Sequence, residues 1–338
     1  ITGGGVVGGA SLAPLGQDDQ QGQLFVAYAF FAAGWAAAGL VPATTVVTRW
    51  FHAKRSVALS VASTGLSVGG IVITPFAKQL LDSRGLAAGT PWLGALFVVG
   101  IVPVALILVR PDPEAEGWAP DGIRRQVGEV PPPPSGVPFA EAIRTRFFIA
   151  TTAGFLLAFG AQVGGIQQLV KLVEDRTDER TAQLAVTTIA GTSVIARLIG
   201  GRVAQRVAMM RLTVVLVVAQ SAALLVIGLA GSTWLLFAAI VCFGATVGNN
   251  LMLQPLLMAE RFGERDYPRI FSRTHLIAIT GTAGGPLLLG ALYDAAGSYR
   301  VPYAVAAACS LAGAVVLAAG GPATVVADGA DGADRHRS

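Results

Sequence analysis

Residues 49–75 read RWFHAKRSVALSVASTGLSVGGIVITP, and residues 261–286 read RFGERDYPRIFSRTHLIAITGTAGGP. Each stretch opens on an Arg with an aromatic soon after it and passes through a short charged turn. Each then runs into an apolar segment with a Gly-Gly pair and a Pro beyond it. Such recurrence predicts a parallel internal repeat, with one turn of this kind in each half of the molecule.

The remaining composition fits that reading. Of 338 residues, 53% are hydrophobic and 13% charged, and the mean hydropathy is +0.63. A water-soluble domain carries roughly twice that charged fraction. The net charge of +4 sits in short bursts between apolar stretches, which points to a lipid bilayer as the partner and away from nucleic acid. Cys242 and Cys309 lie in apolar stretches and are read as small core residues. His52, His275 and His336 are scattered, so neither a metal site nor a cofactor is expected.

A hydrocarbon core about 30 Å thick takes about 20 residues of helix. Ten stretches qualify: 1–16, 24–48, 56–81, 91–109, 147–172, 182–201, 212–230, 233–259, 274–294 and 302–322. Several are apolar on every face, and a helix satisfies its backbone within one segment, so an all-α membrane protein is expected. The alternating strands of a barrel are not seen. Seventeen Lys and Arg fall in one alternate set of loops and five in the other, where Glu174, Asp175, Asp178 and Glu179 offset them. The positive-inside rule then places both basic turns and the C-terminus in the cytoplasm of a cell inner (plasma) membrane.

Residues 111–146 contain PDPEAEGWAPDG, Arg124, Arg125 and the run Pro131 to Pro134. This composition cannot bury a core and reads as a cytoplasmic linker between an N-terminal bundle at 1–110 and a C-terminal bundle at 147–322. Residues 323–338 read as a disordered tail. Four spans precede the repeated turn in the second half and two in the first, so two further spans are expected ahead of Ile1. Without them the chain is expected to lack part of its binding site.

The segment WFHAKRSVALSVASTGLSVGG resembles the helix 4 to helix 5 signature of the monocarboxylate and oxalate:formate branch of the major facilitator superfamily. Trp50, Phe51, Lys54, Arg55, Ala58, Ala62, Gly65, Ser67 and Gly69 carry the match. Glu260, Phe262, Gly263, Gly285, Pro286, Gly290, Tyr293, Asp294, Gly297 and Tyr299 match around family helices 10 and 11. The resemblance implies two six-helix bundles in the whole protein and alternating-access transport of a small organic anion, a mono- or dicarboxylate. A coupling proton or counter-anion would be a second partner, and no enzyme activity is implied. Family helices 4, 7, 8, 10 and 11 would contribute to the central cavity. The resemblance further implies that Arg49, Lys54 and Arg55 help latch the cytoplasmic gate. Arg202 and Arg206 would form a degenerate counterpart, with Gln205 where an acid is usual.

Arg197 lies about four residues inside the end of the 182–201 span, and a cation at a helix centre costs about 2.5–3.5 kcal/mol on insertion scales. Two readings stand: its planar fork holds a carboxylate in a central cavity, or it snorkels to the cytoplasmic interface or caps a helix end, joining Arg202 and Arg206. In the branch that this chain resembles, an Arg followed four residues later by Gly is the anion-binding residue, and Arg197 with Gly201 matches it. The carboxylate expected one turn earlier is Ser193, which puts proton coupling through that pair in doubt. The span from 274 has no counterpart of the Lys that oxalate transporters carry in helix 11; only His275, near its inner end, could titrate, and it is read either as a functional group or as an interfacial hydrogen-bonding residue.

Asn250 and Gln254 share a helix face, with Asn249 beside them, and either line a wet cavity or bind helices together. Phe155, Phe159 and Gln162 form one stripe that is core-like or pocket-like, and Tyr28 with Trp35 read the same way. Substrate contacts are thus expected from Arg197, Asn250, Gln254, Gln162, Phe159, Trp35, Tyr28 and His275. The GxxxG pairs Gly65/Gly69, Gly244/Gly248 and Gly281/Gly285 are read as close-packing surfaces. The alternative within the same fold is an exporter of drugs or neutral metabolites in which Arg197 is structural. A phosphate-binding loop for ATP, a catalytic cluster and a channel filter find no counterpart in the sequence.

Overall fold

A computed structural model describes residues 1–17, 21–110, 112–124 and 135–323. Arg125, the run Pro131 to Pro134 and most of the tail lie outside these. The helices are α1 Thr2–Leu12, α2 Gln21–Ala38, α3 Leu40–Trp50, α4 Arg55–Ile107, the short α5 Phe139–Ala142, α6 Arg146–Arg176, α7 Glu179–Val203, α8 Met209–Leu229, α9 Thr233–Phe262, α10 Tyr267–Ala296 and α11 Arg300–Ala319. Taking α2 and α3 as one unit, eight segments among the described residues are long and apolar enough to cross a membrane.

All ten expected spans are helical, with three differences, one being that the second is interrupted at Gly39 between α2 and α3. The first contributes only the 11-residue α1, and the third and fourth run together as α4, 53 residues long. Gly85 divides α4 at φ +76° and ψ 170°, a backbone region open almost only to glycine because it has no Cβ. The chain doubles back there: a Cβ on Gly89 would sit 3.6 Å from Leu81 Cα, whereas eight residues of straight helix span about 12 Å. The returning half of α4 packs on α1 where Gly9 meets Gly94, and α1 packs on α2 where Gly4 and Gly8 meet Gly34.

In the C-terminal half α6 packs against α10 and α11, α7 against α9, and α8 against α9 and α11. The starts of α6, α7 and α9 are capped by side chains: Thr145 accepts from Phe148 N, Asp178 from Thr181 N and Ser232 from Leu235 N. Gly281 and Gly285 bring α10 onto the backbone of Leu156 and Gly160, and Gly244 and Gly248 bring α9 onto Ile189 and Ser193. Gly65 and Gly69 behave otherwise, since open space surrounds both. Cys242 is exposed and Cys309 partly so, which corrects their reading as core residues.

Phe155, Phe243, Phe262, Phe271, Tyr267 and Tyr303 form the fully buried centre of this half. The apolar window of α6 is 67% buried, against 11% for those of α2–α3 and α4. The two halves touch through the first half of α4, which packs on α7 and α9, and through α3 against α10. Leu59 of α4 joins Met252, Leu253 and Leu256 of α9 in a small shared core. The described linker is not wholly irregular: Trp118–Ala119 and Ile123–Arg124 pair as a minimal antiparallel hairpin.

Candidate functional site

Arg197 stands where the halves meet. The side chain is 2% exposed. Its Nε donates to Gly248 O of α9 at 2.7 Å, Nη1 donates to Ser63 O of α4, and Nη2 donates to Ser193 Oγ one turn earlier at 3.3 Å. Gly248 permits this approach, because a Cβ there would collide with the backbone of Ser193. Among the described residues no carboxylate pairs with the guanidinium, and three of its five N–H groups have a partner. Arg197 does not reach toward an interface, and in this conformation its donors face protein carbonyls instead of an open cavity, because α4 closes over it.

A polar seam extends from this point. Ser56 Oγ donates to Gly201 O at 2.9 Å, and Ser67 Oγ lies 3.4 Å from Ser193 Oγ. Gly201 thus serves the contact between halves, its missing Cβ leaving room for Ser60. At the end of the seam, in the turn between α9 and α10, Glu264 Oε1 takes both Arg55 Nη2 and His52 Nε2, the latter at 2.5 Å. Arg55 also donates to Phe51 O and Thr48 O. Of the residues expected at the gate, Arg55 alone bridges the two halves by a side-chain bond. Arg49 and Lys54 are exposed, Arg206 is exposed, and Arg202 turns back to Leu198 O of its own helix.

The other expected substrate contacts fall into three groups. Asn250 and Gln162 belong to a buried amide network inside the C-terminal half. Asn250 Nδ2 donates to Gln220 Oε1 at 2.8 Å and Gln162 Oε1 at 3.3 Å, and Gln220 Nε2 donates to Ala158 O and Ser310 Oγ. Asn249 ties α9 to Ala196 O of α7. Phe159 packs on Phe155 with ring centroids 5.2 Å apart in the core. In this conformation these residues bind helices together.

Gln254 and His275 form a second group. Gln254 Oε1 lies 3.1 Å from His275 Nδ1, while the fully buried Gln254 Nε2 has no partner. Tyr28 and Trp35 make up the third: both are exposed on α2, 55% and 45%, and the structure does not bring them to Arg197. Sequence reasoning missed His52 as a bridging group, Glu264, Ser63 and Gln220. Only Glu264 carried a signal, as the acid within the second copy of the repeated turn.

Fold and junction define a multi-pass helical membrane protein of two packed halves joined by a linker. The chain matches the Major Facilitator Superfamily over residues 1–272 and 169–333 and belongs to that family. It is 26% identical to the MFS transporter asaE of Aspergillus flavus over 82% of this chain and 60% of that protein. It is 25% identical to Monocarboxylate transporter 13 of Rattus norvegicus, covering 84% of this chain and 64% of that protein. The chain thus spans under two thirds of the length of these relatives, which are transporters and not enzymes. Within the superfamily its likeness runs to the monocarboxylate-transporter-like branch. Among solved structures it is similar to the fucose:proton symporter FucP of E. coli, with TM-score 0.72 and 17% identity over 95% of this chain and 82% of that one. It also resembles the human organic anion transporter MFSD10, with TM-score 0.66 and 15% identity over 94% and 76% of the two chains.

Proposed function

We propose that this chain forms the greater part of a secondary active transporter that carries a small organic anion, a mono- or dicarboxylate, by alternating access. The observation that carries the reading is Arg197, a buried guanidinium at the junction of the halves with no carboxylate partner among the described residues. A cation in that position is stabilised by an anion far better than by carbonyl dipoles alone. In the conformation described, the halves are closed at the end that carries the repeated turns. Parting α4 from α7 there withdraws Ser63 O from Nη1, and the freed edge of the guanidinium presents a planar fork to a carboxylate.

Several further observations support this reading. One relative is named a monocarboxylate transporter, and FucP was solved in an outward conformation. With the basic turns on the cytoplasmic side of the plasma membrane, the closure seen here corresponds to that same state. Gln254 and His275 pair between α9 and α10 and leave one buried amide donor without a partner among the described residues, a donor that a polar guest would satisfy. Because Ser193 stands one turn before Arg197 where the branch has an acid, exchange against a counter-anion is favoured over proton symport through that pair.

The test is uptake of radiolabelled carboxylates into proteoliposomes holding the full-length protein. Arg197→Ala is expected to abolish uptake while the protein still elutes as a folded monodisperse species, and Arg197→Lys to retain a part of it. Uptake unchanged in both variants sinks the anion assignment. The second reading, an exporter of drugs or neutral metabolites, is favoured by one fact: Arg197 ties α7 to α4 and α9 through Ser63 O and Gly248 O, a helix-bridging role. On that reading both variants lose thermal stability and leave KM for the substrate unmoved.

A further inference from the structure

The linker and the two repeated turns meet in one cluster. Asp121 accepts from the backbone N–H groups of His52 and Ala53 at 3.1 and 3.0 Å, so the first turn is held open toward its partner. Burial opposes the charge on Asp121, but these amides and the nearby His52 hold its carboxyl below the usual range. At the other end of the linker, Glu264 N and Arg265 N donate to Ser135 O, and Phe139 N donates to Asp266 Oδ2 at 2.9 Å. Each end of the linker therefore fixes one of the two turns. The turns then face each other across Glu264, whose Oε1 receives His52 and Arg55 together. Beside them lies a cavity of about 470 Å³ between the halves, lined by His52, Arg55, Gln205, Arg206 and Glu260 among others, and large enough for water to reach the imidazole.

We propose that His52 and Glu264 form a proton-strengthened latch: the bond from the imidazole on the first turn to its partner across the junction becomes charge-assisted on protonation, so proton uptake favours closure at this end. His52 is half exposed, at 49%, and so equilibrates with the aqueous phase, whereas Glu264 is 20% exposed. An imidazole changes charge between about pH 5 and 8. The groups facing the pair are Arg49 on α3, Lys54 on the turn, Arg55 on α4, Asp121 on the linker, Arg206 beyond α7, Glu260 on α9, Arg265 and Asp266 on the second turn, and Tyr267 on α10. Arg55 keeps a permanent cation on Glu264, so the second, titratable cation sets the pH response. Burial pushes the Glu264 carboxyl up, with His52 and Arg55 pulling against it. The sign follows from the imidazole: its cation gains this carboxylate only when enclosed, so closure takes up a proton there, while protonation of Glu264 itself, which burial favours, removes the anion of the pair.

The experiment needs no substrate, so its outcome is independent of the anion reading. Full-length protein in lipid nanodiscs, with Cys242→Ser and Cys309→Ala, is spin-labelled at Ala53→Cys and Ser272→Cys, two exposed positions on opposite sides of the latch. The ratio of short to long interspin distances should rise roughly two- to five-fold between about pH 8 and pH 6, the range for a partly exposed ion pair. His52→Gln should flatten that response, and His52→Lys should hold the short distance at both pH values. A wild-type distance distribution that does not move with pH overturns the latch. So does a His52→Gln protein that titrates like the wild type.

Discussion

At the scale of single residues, the sequence marks which side chains are anomalous in lipid but not what they meet. Arg197 stands out because a charge inside an apolar span is costly, and that much is legible from one helix. Its partners Ser63 and Gly248 lie 134 and 51 residues away and carry no mark of their own, since the acceptors are backbone carbonyls. Asn250 shows the same division: its polarity is visible, but its direction, into Gln220 and Gln162, depends on the rotation of α9. Asn250→Ala leaves two amide oxygens short of a donor. It should lower the stability of the protein by about 1 kcal/mol, the scale of amide bonds between helices in lipid, while carboxylate uptake per folded molecule is kept. Thermal unfolding in detergent and uptake measured on the same preparation check this. Lost uptake with unchanged stability would return Asn250 to the substrate.

At the scale of elements, apolar length locates every helix, because burial in hydrocarbon is a property of a segment and needs no partner. The joints are harder to read. The third and fourth expected spans are separated in the sequence by Asp82 and Arg84, but the physical break is Gly85, at φ +76°, while Pro75, Pro91 and Pro103 stay inside helical structure. Gly85→Ala should cost on the order of 1–3 kcal/mol, the cost of a non-glycine residue in that backbone region. It should also show faster proteolysis between α1 and the returning half of α4, which depend on that reversal. A variant as stable and as protected as the parent would mean that the helix bends elsewhere. The linker illustrates the opposite error: its composition reads as a tether, yet its two ends are fixed to the two turns, because Asp121 and Ser135 supply the acceptors that those turns lack.

At the scale of the whole molecule, the halves meet along a seam of serines and glycines running from Ser56 and Gly201 to Ser67 and Ser193, sealed by Glu264. The proposed alternating-access cycle would require this seam to open. Ser67→Cys with Ser193→Cys, in a background without Cys242 and Cys309, should cross-link under a mild oxidant and stop uptake, and a reductant should restore it. Transport that continues in the cross-linked protein would show that the seam is not a moving surface. The sequence by itself determined the all-α membrane class, the ten helical stretches and the two equivalent turns, because hydrophobic patterning and charge placement act locally and can be read one segment at a time. Only the tertiary structure decided that α4 covers Arg197, that Glu264 joins Arg55 across 209 residues, and that the amides of α9 face inward. The rotation and register of each helix are set by close packing against neighbours far away in the chain, and no local pattern records them.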